Sequence, residues 1–216
     1  MRFGLSEKRV VDEFHKLYYN ARKHQRTLGN THFLGVPAQK CPLDLWVYQE
    51  ILFEIRPDLV IETGTADGGS ALYLASLMEL VGTGEIVSID IESREMRPKH
   101  SRIRYLLGSS TDSAILAEVG EIAAKAKTVL AILDSDHSRD HVLDELRAYG
   151  PLVTPGSYLI VEDTNVNGHP VRRDHGPGPM EAVDEFLRSG QPFEIDESRE
   201  KFFLTFNPRG YLRRNS

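Results

Sequence analysis

The stretch AILDSDHS, Ala131–Ser138, runs an apolar segment straight into Asp134, Asp136 and His137 with no turn residue between them. A second apolar run, YLIV, ends the same way in Glu162 and Asp163. Taking a carboxylate out of water at a strand end is costly unless something pairs with it. If the two runs are neighbouring parallel strands, Asp134, Glu162 and Asp163 converge at one edge. Unpaired, they repel and raise one another's pKa values. An oxygen-seeking divalent cation resolves this, and an all-carboxylate set favours Mg2+ over zinc. His137, three residues after Asp134, then stands just above the ion, placed to take a proton from a substrate hydroxyl that the metal acidifies. Asp136 is either a support for these groups or an alternate ligand.

A second chemistry-bearing stretch is VIETGTADGGS. The dinucleotide pattern Gly-x-Gly-x-x-Gly requires a glycine where this chain has Ala66. Glu62 and Asp67 also repel a pyrophosphate, which seeks backbone N–H groups and positive potential. A cationic cofactor without phosphate is attracted instead, which sets this reading against an NAD-binding oxidoreductase.

These residues need elements to position them. Val10, Val11, Phe14, Leu17 and Tyr18 fall at helical spacing within the first 26 residues, which carry seven Lys/Arg against three Asp/Glu. PLDLWVYQEILFEI reads as a second helix, with Pro42 in its first turn and Pro57 as its stop. Short apolar runs then alternate with helical stretches. The strands are DLVIETG, EIVSIDI, IRYLLGSS, TVLAILDSD and SYLIVEDT; the helices span about 69–80, 112–126, 140–149 and PMEAVDEFLRSG. This alternation predicts a parallel sheet covered on both faces. PFEIDE and KFFLTFNP, separated by a short polar turn, are expected to close the chain as an antiparallel hairpin. Ligands of a doubly wound sheet bind at the carboxyl ends of its strands, where Glu62, Gly64, Asp90, Gly108, Ser109, Asp134, Glu162 and Asp163 fall.

Glu62-x-Gly64-x-x-x-Gly68 resembles motif I of class I S-adenosyl-L-methionine-dependent methyltransferases. The resemblance implies a cofactor site made by Glu62, Gly64, Asp67, Gly68 and Ser70. Gly64 would admit the methionine moiety, Asp90 would bind the ribose hydroxyls, and GSSTD, with Ser109 and Ser110, would meet adenine beside Asp134. Asp134, His137 three on, and Glu162-Asp163 are similar to the metal-dependent O-methyltransferases of the catechol and macrolide-sugar kind. That likeness implies Asp134, Glu162 and Asp163 as Mg2+ (or other divalent cation) ligands and His137 as base. Catechol enzymes carry lysine at the base position, so the histidine argues against a catechol. KCPLDLWVYQEIL, IETGTADGGSALYLA, LDSDHS, YLIVEDTN, GPGPMEAVDEFL and NPRGYLRR are similar to the cephalosporin hydroxylase-like family, which includes rhamnosyl O-methyltransferases. The implied fold is an α/β, Rossmann-like class I methyltransferase, with a mostly parallel seven-stranded sheet and a C-terminal antiparallel hairpin. Helices over 1–57 precede a core over 58–216 in one domain. The implied activity is Mg2+-assisted methyl transfer to a hydroxyl of a small metabolite, sugar or natural product.

Composition bounds the remainder. With 40% hydrophobic residues, 27% charged and a net charge of −6, the chain can bury a sizeable core and lacks the basic surface that nucleic acid requires. Cys41 is alone, so no intrachain disulfide forms and a cytoplasmic setting is expected. No run reaches the ~18 apolar residues of a membrane span. The long loop NVNGHPVRRDHGPGP starts beside Glu162-Asp163; it is expected either to cover an acidic or hydroxyl-rich substrate through His169, Arg172, Arg173 and His175, or to be simply solvated chain. A second enzyme reading, a non-haem iron oxygenase, would use His137 and His141 with Asp134. The N-terminal helices can pack on the domain or on another subunit of a homo-oligomer.

Overall fold

Two strands without a single exposed residue form the middle of the sheet: β3 (Leu59–Thr63) and β6 (Val129–Leu133). Full burial on both faces is what a parallel sheet under two layers of helices demands. The computed structural model describes residues 6–21 and 28–215. Within them, helix α1 (Glu7–Tyr19) is followed by a small hairpin, β1 (His32–Phe33) with β2 (Val36–Pro37), and by α2 (Pro42–Ile55). The alternating core then runs β3, α3 (Gly69–Val81), β4 (Glu85–Asp90), β5 (Ile103–Leu107), α4 (Ser113–Ala123), β6, α5 (Arg139–Tyr149), β7 (Tyr158–Val161) and α6 (Pro179–Arg188). It closes with β8 (Phe193–Ile195) and β9 (Tyr211–Arg214).

The sheet order is β5-β4-β3-β6-β7-β9-β8, with parallel pairing from β5 to β7 and antiparallel pairing of β9 with both β7 and β8. The expected seven-stranded, mostly parallel sheet therefore forms, and its strand order reverses at β3/β6, where such sheets bind ligands. Val60, Ile86, Leu130 and Ile160 pack on one face under α2 and α3. Ile61, Val87, Leu133 and Val161 pack on the other, under α4, α5 and α6.

Two expectations need correction. KFFLTFNP is not a strand: the last strand is Tyr211–Arg214, and it inserts between β7 and β8. Leu204 and Phe206 are buried against Cys41, Tyr18 and Tyr19 instead of against the sheet. The Phe206 N–H donates to Asp44 Oδ2 on α2 at 2.8 Å, so the segment satisfies its backbone through a helix side chain. In the N-terminal helix, Val10, Phe14 and Leu17 point outward, and the buried side chain is His15. His15 stacks on Phe206 (centroids 5.6 Å apart) and its Nε2 lies 2.9 Å from Asn165 Nδ2. The part of that helix expected beyond residue 21 lies outside the described residues.

Candidate active site

Register places the acids. Thr63 lies opposite Leu133, and Leu133 opposite Val161, so Gly64, Asp134 and Glu162 leave the sheet side by side. The approach is tight: a Cβ on Gly64, whose φ is +84°, would sit 1.9 Å from the Asp134 carbonyl oxygen. Only glycine fits there, for a reason independent of any ligand. Asp163 also has a positive φ, and its N–H donates to Asn207 Oδ1 at 3.1 Å. The segment misread as a strand thus braces the acidic turn.

One ligand atom each of Asp134, His137 and Asp163 lies within 4.8 Å of the others. His137 Nε2 stands 2.6 Å from Asp163 Oδ2 and 3.6 Å from Asp134 Oδ1. Burial alone would lower the His137 pKa, but the bond to Asp163 and the two carboxylate charges raise it to about 9. The same contact holds Asp163 below its ordinary value despite burial.

Glu162 faces inward. Its Oε1 is 2.7 Å from Lys40 Nζ, and the same ammonium contacts Asp134 Oδ2. Lys40 is 3% exposed. Burial disfavours its charge, yet Asp134 and Glu162 outweigh this and hold its pKa above the ordinary lysine value. Glu162, deeply buried beside Asp134, is pushed up to about 8. Lys40 reaches the site because β2 runs against the start of α3, so closely that a Cβ on Gly69 would meet the Pro37 carbonyl oxygen at 2.2 Å.

A cleft of about 430 Å3 opens over these groups. Gly64, Ser70, Asp90, Ser109, Ser110, Asp134, His137 and Asp163 all line it. Asp90 accepts from the N–H groups of Ala66 and Glu92, both at 2.8 Å, and pairs with Arg97 at 3.0 Å. Beyond Gln39, which lines both, a second cleft of about 680 Å3 carries Arg172, Arg173 and Asp174 with Tyr19 and Asn20.

The sequence pattern of the family described as Rhamnosyl O-methyltransferase/CmcI matches residues 25–215. The chain belongs to that family. A rhamnosyl O-methyltransferase of Mycobacterium tuberculosis is 40% identical over an alignment of 216 positions, covering 95% of this chain and 85% of that protein. The Mycobacterium leprae counterpart is 39% identical over 209 positions, covering 94% and 90%. Among solved structures, a Mg–SAM complex of CmcI superposes with a TM-score of 0.66 at 20% identity, covering 88% of this chain and 78% of that one. MycE methyltransferase in complex with Mg, SAH and mycinamycin VI gives 0.52 at 17%, covering 88% and 55%. At these identities the structural likeness shows the shared class I methyltransferase fold.

Within this family frame, several expected site residues turn out to face elsewhere. Glu62 is fully buried behind the glycine loop, accepting from Ser70 Oγ (2.5 Å) and Ser88 Oγ (2.6 Å). Asp67 pairs with Arg94 at 2.8 Å, and Gly68 starts α3 against Pro98. None of these three lines the cleft. Asp136 does line the cleft, and it accepts from the Ser138 N–H at the start of α5, a local turn. His141 lines it too, with Nε2 3.0 Å from Ser135 Oγ and 3.2 Å from Ser110 Oγ, so the two-histidine iron set does not assemble among the described residues. The long loop splits: His169 pairs with Glu181 at 2.9 Å, away from both clefts, and His175 Nε2 donates to the His137 carbonyl at 3.0 Å. Of the four side chains expected to meet the substrate, Arg172 and Arg173 line the second cleft, beside Asp174.

Sequence reasoning missed Lys40 and Asn207. Lys40 did leave a signal, being the single charged residue between His32 and Asp44. Asn207 left none, because its partner lies across the fold.

Proposed function

We propose that this protein is an S-adenosyl-L-methionine-dependent, Mg2+-assisted O-methyltransferase acting on a hydroxyl of a small sugar-bearing or otherwise hydroxylated metabolite. The observation that carries the reading is the Asp134–His137–Asp163 group at the mouth of a cleft whose other wall is a glycine loop and Asp90. Family membership, and relatives described as rhamnosyl O-methyltransferases, support the same reaction class.

The donor set suits a hard divalent cation: Asp134, Glu162 and Asp163 offer only carboxylate oxygens, on adjacent strand ends, with cations already drawn to them. These three would hold the ion, Glu162 while shared with Lys40. The ion would supply charge that lowers the pKa of the acceptor hydroxyl. The cofactor would supply the methyl group, whose bond to sulfur breaks as the bond to the acceptor oxygen forms. Gly64, Ser70, Asp90, Ser109 and Ser110 would bind and orient it. Asp163 and Asp134 hold His137 at the cleft, where its Nε2, when neutral, would accept the hydroxyl proton. Arg172 and Arg173 would bind the acceptor in the adjoining cleft, joined to the cofactor cleft at Gln39. Residues 1–57 and 58–216 would act as one catalytic unit.

The deciding experiment is calorimetric titration with S-adenosyl-L-methionine and with NAD+, each with Mg2+ and with chelator. Binding of the former alone, in either buffer, is expected. Binding of NAD+ alone would overturn the assignment.

A further inference from the structure

Lys40 is not explained by methyl transfer as described above. It is 3% exposed and lines neither cleft, so it has no route to cofactor or acceptor. Burying an ammonium this completely is costly, and it persists only where fixed anions face it. Two do: Asp134 Oδ2 and Glu162 Oε1. The two oxygens of Asp134 are thereby divided. Oδ2 goes to Lys40 on the buried side, while Oδ1 faces His137 on the cleft side.

We propose that Lys40 is the resident inner cation of the metal site, a charge-balancing residue that sets how tightly the exchangeable divalent ion is held. This rests on the reading of Asp134, Glu162 and Asp163 as that ion's ligands. Asp134, Glu162 and Asp163 carry three negative charges, which Lys40 and the His137 imidazolium offset in part before any ion binds. Without Lys40 the set keeps one more negative charge, and Glu162 loses its competing partner. A fixed positive charge a few ångströms from the ion weakens its binding, because like charges repel strongly where water is excluded. Lys40 therefore keeps the acidic cluster assembled without the ion and keeps the ion exchangeable.

The test is calorimetric Mg2+ titration of the whole protein at pH 8, on wild type, Lys40→Met and Lys40→Arg, with melting curves in Mg2+ and in chelator. Lys40→Met is expected to bind Mg2+ at least about tenfold more tightly than wild type. Its Mg2+-induced rise in Tm is expected to exceed that of wild type, since tighter binding to the folded state stabilises it more. Lys40→Arg keeps the charge, so its Mg2+ affinity is expected within about threefold of wild type. A lysine that merely filled space would lower Tm equally in Mg2+ and chelator and leave the affinity unchanged. That result, or weaker binding by Lys40→Met, overturns the inference. Should Lys40→Met fold in neither buffer, Lys40→Arg decides: a tenfold or greater change in its affinity overturns the charge-balancing role. Absence of any Mg2+ binding by wild type would remove the metal reading itself, whereas wild-type binding with an unaltered Lys40→Met removes only the role of Lys40.

Discussion

A histidine 2.6 Å from one carboxylate and 3.6 Å from another is held as an imidazolium until about pH 9. The proposed base role needs the neutral imidazole, which Asp163 and Asp134 oppose. His137→Ala is expected to lower kcat by about 10²- to 10⁴-fold, the range for losing a positioned base. Its dissociation constant for S-adenosyl-L-methionine is expected to stay within about twofold of wild type; loss of cofactor binding would instead mark the histidine as structural. Asn207 carries a different burden. It is fully buried, accepts from the Asp163 N–H and donates to the Tyr48 hydroxyl at 2.9 Å. Asn207→Ala removes both bonds and leaves the Asp163 N–H without its side-chain partner, so urea denaturation is expected to show a loss of about 1–3 kcal/mol. Unchanged stability would mean that water replaces both bonds.

At the scale of elements, α1 is fastened to the core through a histidine. Burial holds the His15 pKa down to about 4, against 6.5 in an unfolded chain, with Asp12 and Asp163 opposing only weakly. A base whose folded pKa is depressed is fully stabilising above pH 6.5, and that contribution is lost as pH falls toward 4. The loss amounts to about 3 kcal/mol at most. The fall in Tm between pH 7.5 and 4.5 is therefore expected to be smaller in His15→Gln; equal falls would locate the acid sensitivity elsewhere. The helix was legible from spacing, but its buried side was not, because Phe206 and Asn165, which His15 meets, are far along the chain. Of the loop after β7, Arg172 and Arg173 line the second cleft, whereas His169 and His175 found partners on other elements. Replacing Arg172 and Arg173 with alanine is expected to raise the acceptor KM about tenfold or more, the loss of a charge-assisted contact of about 1.5–3 kcal/mol. Cofactor affinity is expected to stay unchanged, and unchanged KM would remove the two arginines from the acceptor site.

At the scale of the molecule, the two clefts meet at Gln39, with the metal-ligand candidates on the cofactor side. Chelation is therefore expected to abolish turnover while leaving S-adenosyl-L-methionine binding measurable; turnover that survives exhaustive chelation would show the ion to be dispensable. The alternation of apolar runs and helical patterns was enough to determine the five parallel strands and their helical layers, and acids at successive strand ends fell on the edge where Asp134, His137 and Asp163 come together. Both follow from local rules: period and burial define the strands, and parallel connection puts every strand's carboxyl end on one edge. Tertiary structure alone decided which way each acid faces. Glu62 turned inward to Ser70 and Ser88, Asp67 outward to Arg94, and Glu162 to a lysine from an earlier loop. An ionised side chain takes the partner that the fold brings within hydrogen-bonding distance, and sequence spacing carries no record of partners on other elements. The same reason hid the final strand, since KFFLTFNP has the composition of a strand but found its burial and its backbone partner on α1 and α2.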